Sequence, residues 1–182
     1  MIILGIDPGT RVTGWGLIDL RDGEPRALAC DVITPKASLP IEQRLQHIFS
    51  ELGDLIARHT PGAVAIEEPF VGENVRSAMA VGEARTVAML AATLAGIPVH
   101  HYAPARIKSV VAGYGQGDKR QVREMLRLQL GADDLPGSLD ATDALAVALC
   151  HAIAARAAEL LAPDTSQFVR SNIVAQRRRR RA

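Results

Sequence analysis

The order of strand and helix patterns along the chain predicts an α/β fold, with helices on the faces of one five-stranded mixed sheet. Three strand patterns separated by tight turns open the chain, which predicts an antiparallel meander. Two shorter strand patterns follow, each preceded by a helical pattern, which predicts parallel pairing. The chain has 182 residues, of which 48% are apolar, so it suits one domain with a sizeable core.

The three opening strands are bounded by turn residues. Ile2 to Asp7 is a continuous apolar run, typical of a buried strand, that ends in an acid. After the turn Pro8-Gly9-Thr10, Val12 to Leu20 is predicted to form the second strand. A second turn, over residues 21–25, leads to a third strand from about Ala27 to Thr34.

Helices alternate with the last two strands. Pro40 begins an amphipathic helix that ends near His59. Asn74 is a candidate cap for a long helix from Val75 to Ala95, which Gly96 terminates. The remaining predicted elements are the strands Ala63 to Glu68 and Val99 to Tyr102, a helix from Pro104 to Ala112, a helix from Asp118 to Leu130 and a helix from Leu139 to Leu161.

Charge is distributed unevenly along the chain, although the net charge is only +1. Six arginines and one aspartate give residues 163–182 a net charge of +5, so residues 1–162 carry −4. Within that acidic part, Pro104 to Arg127 has a net charge of +4. A basic stretch beside acidic residues suits an enzyme that acts on a polyanion, but a solvated helix face gives the same pattern.

The C-terminal segment and the cysteines complete the organisation. Residues 163–182 lack hydrophobic periodicity and are predicted to form a disordered basic tail. Its last arginines, Arg177 to Arg181, could bind DNA phosphate nonspecifically or contact a partner. Cys30 and Cys150 are expected to be reduced rather than bridged. No signal peptide is indicated, because the chain lacks a basic N-terminal region and Asp7 interrupts the first apolar stretch. The longest charge-free span, Thr86 to Ala105, is broken by glycine, proline and histidine, so we expect a soluble cytoplasmic protein.

Four carboxylates lie next to apolar segments that are predicted to be part of the hydrophobic core. Asp7 and Glu67 end two predicted strands, and Asp140 and Asp143 lie three apart at the start of the last helix. If the two strands are parallel neighbours, both acids emerge at one edge of the sheet, and residues three apart on a helix share a face. Because burying an unpaired carboxylate is costly, we expect the four to converge on a pair of divalent cations.

Each acid also has an ordinary structural explanation. Asp7 precedes a proline and could only shape a turn. Asp140 could cap the last helix, and Asp143 could interact with the helix dipole. Only the joint arrangement favours a metal site over these separate explanations.

Three segments around these acids carry motifs of a known family. They are Gly5-Ile-Asp-Pro-Gly-Thr-Arg-Val-Thr-Gly-Trp-Gly16, Ala65-Ile-Glu-Glu-Pro-Phe70 and Asp140-Ala-Thr-Asp-Ala-Leu-Ala146. In this order and spacing they resemble the RuvC family of bacterial Holliday junction resolvases, over residues 1 to about 155. The first motif alone is weak evidence for this family, because sugar kinases and heat-shock chaperone ATPases use a similar strand-turn-strand motif to bind phosphate.

The resemblance implies a ribonuclease H-like nuclease domain over residues 1–162. It implies a homodimer that resolves four-way DNA junctions in recombination and DNA repair by paired nicks that leave 5′-phosphate and 3′-hydroxyl ends. It also implies cooperation with the RuvAB branch-migration complex.

The resemblance also implies which residues act. It implies that Asp7, Glu67, Asp140 and Asp143 are metal ligands. The implied metal is Mg²⁺ or Mn²⁺, with two ions per site. Some family members have histidine at the position of Asp140. Glu68 is not expected to be a ligand, because strand alternation places it on the face opposite Glu67.

Basic and aromatic residues supply the expected DNA contacts. The family uses basic positions matched by Lys108 and Lys119, and Lys119 is the candidate for reaching the scissile phosphate, beside the flexible loop Gly113 to Gly117. Its alternative is a solvated lysine in the first turn of a helix. Phe70 could stack on bases or plug the core, and the resemblance favours DNA. Weaker candidates for backbone contacts are Arg76, Arg85 and Arg120.

Two further features bear on assembly and metal binding. The helix from Val75 to Ala95 is rich in alanine, serine and glycine, so it could form a close two-helix dimer contact, or pack only on its own sheet. His100 and His101 are adjacent in a strand, so they face opposite ways and are expected to be structural.

Three other functions are compatible with parts of the sequence. A ribonuclease H-like nuclease on RNA–DNA hybrid or another branched substrate would use the same acids. An ATP- or phosphate-binding module of the actin and sugar-kinase class would need a second related domain, for which the chain is too short. A non-catalytic DNA-binding scaffold would not need four buried acids. The sequence leaves open the preferred cleavage sequence and the preferred metal.

Overall fold

The computed structural model describes residues 1–69, 75–112, 119–131 and 138–161, without the side chains of residues 75, 112, 119, 120 and 122. The described strands are β1 (Ile2–Asp7), β2 (Thr13–Arg21), β3 (Glu24–Ile33), β4 (Ala63–Glu67) and β5 (Val99–Tyr102). The described helices are α1 (Ile41–His59), α2 (Val75–Leu94), α3 (Pro104–Ala112), α4 (Lys119–Gln129) and α5 (Leu139–Leu161). The predicted Asn74 cap, the glycine loop, Asp118 and the basic tail lie outside the described residues.

The five strands form one mixed sheet in the order β3-β2-β1-β4-β5. β2 pairs antiparallel with both β1 and β3, whereas β1 and β4, and β4 and β5, pair parallel. The predicted mixed five-stranded α/β sheet is therefore confirmed. The parallel pairing of β1 and β4 places the carboxyl ends of both strands at one edge of the sheet.

The hairpin between β2 and β3 differs from the prediction. β3 begins at Glu24 rather than near Ala27, because Asp22 and Gly23 alone make the turn, with φ of 55° and 80°. Two positive φ values are what a two-residue hairpin turn of the primed type requires. Pro25 is tolerated within β3 because this strand lies at the edge of the sheet.

Each face of the sheet buries its own cluster of side chains. Leu4, Ile6 and Leu17 pack with α1 and α2 on one face. Ile3 and Ile18 pack with α3, α4 and α5 on the other. Odd-numbered residues of β1 therefore face α5, and even-numbered residues face α1 and α2, as strand alternation requires.

Helix α5 lies directly on the sheet because two strands present glycine beneath it. A Cβ at Gly5 would lie 2.1 Å from the carbonyl oxygen of Ala144, and a Cβ at Gly16 would lie 2.8 Å from Leu145. By length and composition alone, α5 is apolar enough to cross a membrane. Its residues from Ala144 to Ala152 are, however, buried within the domain. Its uniform apolarity is that of a core helix.

One buried polar cluster joins β5 to α5. The ring of His100 stacks on that of His151 with centroids 4.1 Å apart, and the Tyr102 hydroxyl lies 2.7 Å from Nδ1 of His151. Burial and the neighbouring His100 lower the pKa of His151 to about 4. The ring is therefore neutral near pH 7, so Nδ1 can accept the tyrosine proton in a hydrogen bond, and His100 has the structural role that was predicted.

Candidate active site

Asp7 and Glu67 end neighbouring parallel strands on the same face of the sheet. The register pairs Ile6 with Ile66, so the two acids occupy the next position of each strand. Ile3 and Ala65 belong to the cluster on the α5 face, and Asp7 and Glu67 follow them by even numbers of residues. Both carboxylates therefore lie on the α5 side of the same edge. Alternation places Glu68 on the other face, in agreement with its predicted exclusion.

Helix α5 brings the other two acids to this edge through glycine contacts. Asp7 pairs across the antiparallel ladder with Gly14. A Cβ at Gly14 would lie 2.0 Å from the carbonyl oxygen of Asp140, so the helix start lies against the strand residue opposite Asp7. Asp143 lies one turn further along α5, next to Ala144, whose carbonyl contacts Gly5. The backbone contacts therefore bring the start of α5, which carries Asp140 and Asp143, to the edge at which Asp7 and Glu67 end their strands.

Other residues provide the helix cap and the turn contact that had been considered for Asp140 and Asp7. Ser138 caps α5, because its Oγ accepts a hydrogen bond from the Ala141 amide at 3.4 Å. The turn after Asp7 is held by Thr13, whose hydroxyl donates to the carbonyl of Gly9 at 2.7 Å. The alternative of Asp140 as the cap is therefore wrong, and its carboxylate extends from the second position of the helix.

The four acids are less buried than the sequence suggested. All four are half-buried, because they lie where the strands and α5 end rather than within the core. Carboxylate oxygens are the ligands that hard divalent cations prefer, so the donor set fits Mg²⁺ or Mn²⁺. Within the described parts of the chain, no three acidic, histidine or cysteine side chains already surround one point. The fit therefore rests on backbone placement and donor chemistry.

Comparison with known proteins decides the family. The family described as crossover junction endodeoxyribonuclease RuvC matches residues 3–151. The chain belongs to the RuvC family. A RuvC relative from Chloroflexus aurantiacus is 48% identical over 155 residues, which cover 85% of this chain and 94% of that protein. A relative from Roseiflexus is 48% identical over 152 residues, covering 84% and 90%.

Solved structures agree with this assignment. Thermus thermophilus RuvC in complex with a Holliday junction substrate superposes with a TM-score of 0.81 and 34% identity, covering 87% of this chain and 96% of that one. The yeast mitochondrial Holliday junction resolvase has a TM-score of 0.57 at 14% identity and supports the fold alone. The predicted family, ribonuclease H-like fold and nuclease activity are confirmed, and the RNA–DNA hybrid alternative is not favoured.

The basic residues predicted from the RuvC resemblance are distributed around this edge. Lys108 is exposed on α3, which begins two residues after β5 ends, and Arg76 is exposed in the first turn of α2. Phe70 and the side chains of Lys119 and Arg120 lie outside what the structure describes, so their DNA contacts stay predictions.

Arg85 is more constrained than the sequence indicated. Its Nη2 lies 3.1 Å from Nδ1 of His101, and burial together with this guanidinium lowers the pKa of His101. The arginine is half-buried against β5, which makes it the least accessible of the predicted DNA contacts among the described side chains.

A second basic group at the same edge was not predicted from the sequence. Arg11, Lys36 and Arg44 line a common pocket beside the turn that follows Asp7. These residues lie in three separate segments, so no local pattern could have indicated that they meet.

Proposed function

We propose that this junction-resolving endonuclease of the RuvC family uses Asp7, Glu67, Asp140 and Asp143 to hold two divalent cations, Mg²⁺ or Mn²⁺, at the scissile phosphate. Nucleases of this family are metal-dependent. The observation that supports the proposal is the close contact between the backbone of Asp140, at the start of α5, and Gly14, the residue that pairs with Asp7. Asp7 and Glu67 end neighbouring parallel strands, and α5 begins against the same edge, which a lone structural acid would not require.

The residues would act by charge and position. The four carboxylates would hold the cations, which when bound would supply Lewis-acid chemistry for the attack of water on phosphorus and for the charge on the departing 3′ oxygen. Asp7 and Glu67 would be the metal ligands on the sheet. Asp140 and Asp143 would be the metal ligands on α5. Lys119 would neutralise the attacked phosphate, while Lys108, Arg76, Arg120 and Arg85 would hold flanking phosphates and Phe70 would stack on bases at the crossover. Hydrolysis would leave 5′-phosphate and 3′-hydroxyl ends.

The test is cleavage of a labelled four-way junction, the matching linear duplex and an RNA–DNA hybrid, each with Mg²⁺, Mn²⁺ or EDTA. We expect symmetric nicks in the junction with either metal, no cutting in EDTA, and little cutting of duplex or hybrid. Preferential cutting of the hybrid would contradict the proposed substrate. Equal cutting of the junction in EDTA would contradict the metal-dependent mechanism.

We further propose that the active form is a homodimer that meets through α2, because two opposed nicks need two sites. Some of the small residues that suggested this contact pack inside the chain itself, because four of them are buried. These are Ala84, Ala88, Ala91 and Ala92. The outer face of α2 instead carries large apolar side chains. These are Met79, Leu90 and Leu94, which are 65%, 50% and 69% exposed. Spacings of 11 and 4 residues place the three on one side of the helix.

Charging this face should disrupt the dimer. The double substitution Leu90→Lys and Leu94→Lys places two like charges in an apolar contact and repeats them on the partner, so we expect monomers by sedimentation velocity and loss of paired nicks. The matched control is Leu160→Lys with Leu161→Lys, because both leucines are also exposed, at the end of α5. If the α2 variant were still a dimer, the dimer interface would have to lie outside this face of α2.

The cellular setting is also proposed from the family. A DNA-acting enzyme of this kind would work in the cytoplasm on recombination and repair intermediates. Cooperation with the RuvAB branch-migration complex stays a proposal from the family resemblance.

A further inference from the structure

A basic pocket opens beside the candidate active site on the flank away from α3 and α4. It has a volume of about 600 Å³ and is lined by the cations Arg11, Lys36 and Arg44, together with Val12 and the backbone segment 34–37. The side chains of Arg11 and Lys36 are exposed, and that of Arg44 is half-buried. No acid is among the described residues that line it.

The pocket lies at the same edge of the sheet as Asp7. Thr13 pairs with Ile33 at the start of β2 and the end of β3, so Val12 and Thr34 leave the sheet side by side. Asp7 pairs with Gly14, one residue further into β2. The pocket therefore lies at the edge where Asp7 ends β1, toward β3. Because Arg44 belongs to the first turn of α1, the pocket is on the α1 side of this edge, whereas the acids are on the α5 side. Lys108 lies on the opposite flank, beyond β5.

The charges of the pocket are not neutralised by the described parts of the protein. The described ion pairs involve none of the three cations. Arg44 donates from Nη1 to the carbonyl of Thr10 over a long distance of 3.4 Å, and its buried Nε has no described hydrogen-bond partner. Buried N–H donors in proteins are almost always satisfied. A planar guanidinium with free donors suits a phosphate oxygen, which it can bind in bidentate geometry.

We propose that this pocket binds a backbone phosphate of the substrate strand where the strand passes the edge of the sheet that carries Asp7. The inference rests on the proposed function, because the strand must reach the four acids. Three cations concentrated in one open pocket favour a polyanion over a neutral ligand, and the pocket is wide enough for one nucleotide unit of a strand. With Lys108 on the other flank, the pocket gives the strand basic contacts on both sides of the acids, which would fix its register.

The test measures junction binding without divalent metal, in EDTA, so that its outcome does not depend on cleavage. The double variant Arg11→Gln with Lys36→Gln removes two exposed cations and leaves the hydrogen bond from Arg44 to Thr10 in place. The control is Arg26→Gln with Arg58→Gln, which removes two exposed cations at the far end of β3 and at the C-terminal end of α1. Thermal unfolding of both variants should match that of the wild type.

We expect the pocket variant to bind the junction about tenfold more weakly at low salt, with the control within about twofold. The slope of log affinity against log salt should fall by about 1 for each phosphate that the variant no longer neutralises. Phosphate-ethylation interference should show one phosphate whose modification weakens wild-type binding but no longer weakens binding of the pocket variant. Equal salt slopes in the pocket and control variants, or an unchanged interference pattern, would overturn the inference. Failure of the wild type to cut the junction would overturn the proposed function instead.

Discussion

Replacing Asp7 by asparagine is expected to reduce junction cleavage by about a thousandfold or more. Asparagine keeps the size of the side chain but removes the negative charge and one anionic oxygen from the centre of the acid cluster. Asp7 lies between its parallel neighbour Glu67 and Gly14, which contacts the start of α5, so its loss leaves the proposed site without a ligand from β1. Removing a negative charge next to phosphates should not weaken DNA binding, so the junction Kd in EDTA is expected to stay within about threefold of the wild type.

The matched control for this substitution is Glu68→Gln. This substitution removes the carboxylate of the residue that follows Glu67. Strand alternation places that carboxylate on the face of the sheet opposite Glu67. The main-chain amide of Glu68, which donates to the carbonyl of Tyr102 at 2.9 Å, is unaffected. Near wild-type cleavage by this variant is expected under single-turnover conditions. If Asp7→Asn cut normally while Glu68→Gln did not, the assignment of the two strand faces would be reversed.

Gly14→Ala is expected to have the second large effect, on both stability and cleavage. The new Cβ would lie 2.0 Å from the Asp140 carbonyl oxygen and 2.5 Å from its carbonyl carbon, which are backbone atoms that cannot rotate away. The start of α5 must move, which should cost about 1 to 3 kcal/mol of unfolding free energy. A displacement of about 1 Å at catalytic groups can reduce the rate about a hundredfold, and we expect a loss of that order. Urea unfolding and single-turnover cleavage measure the two effects separately.

Gly53→Ala is the control for the glycine substitution. Gly53 lies within α1, and an added Cβ there would meet nothing within 4 Å. Alanine is the better helix former by up to about 1 kcal/mol, so unfolding free energy should stay the same or rise, with cleavage unchanged. If Gly14→Ala were as stable and active as Gly53→Ala, α5 would not depend on the close approach at Gly14.

Local patterns were sufficient to predict the sheet and the strand ends at which the candidate site was placed. A short continuous apolar run is typical of a buried strand, and the runs of β1 and β4 each end in an acid, which placed Asp7 and Glu67 at an edge. Parallel pairing followed from the helix between the strands. The bounds of α3, α5 and β5 were predicted to the residue.

Features that depend on contacts between distant segments were not accessible from sequence. Ser138 and Asp140 are both good caps and stand two residues apart, so only the amide hydrogen bond of Ala141 distinguishes them. The basic pocket joins Arg11 to Arg44 across two strands and a turn. The composition of α2 could not reveal which of its apolar residues face inward, because the helix is apolar on all sides and its tertiary contacts make that choice.

The most direct test of the metal site is the number of Mn²⁺ ions bound per chain, measured by electron paramagnetic resonance with the junction present and the DNA-only baseline subtracted. We predict about two tightly bound ions per chain for the wild type and for Glu68→Gln, and a loss of tight binding for Asp7→Asn and Glu67→Gln. Two tightly bound ions in all four proteins would contradict the proposed site, because the cations would then lie away from the acids at the ends of β1 and β4.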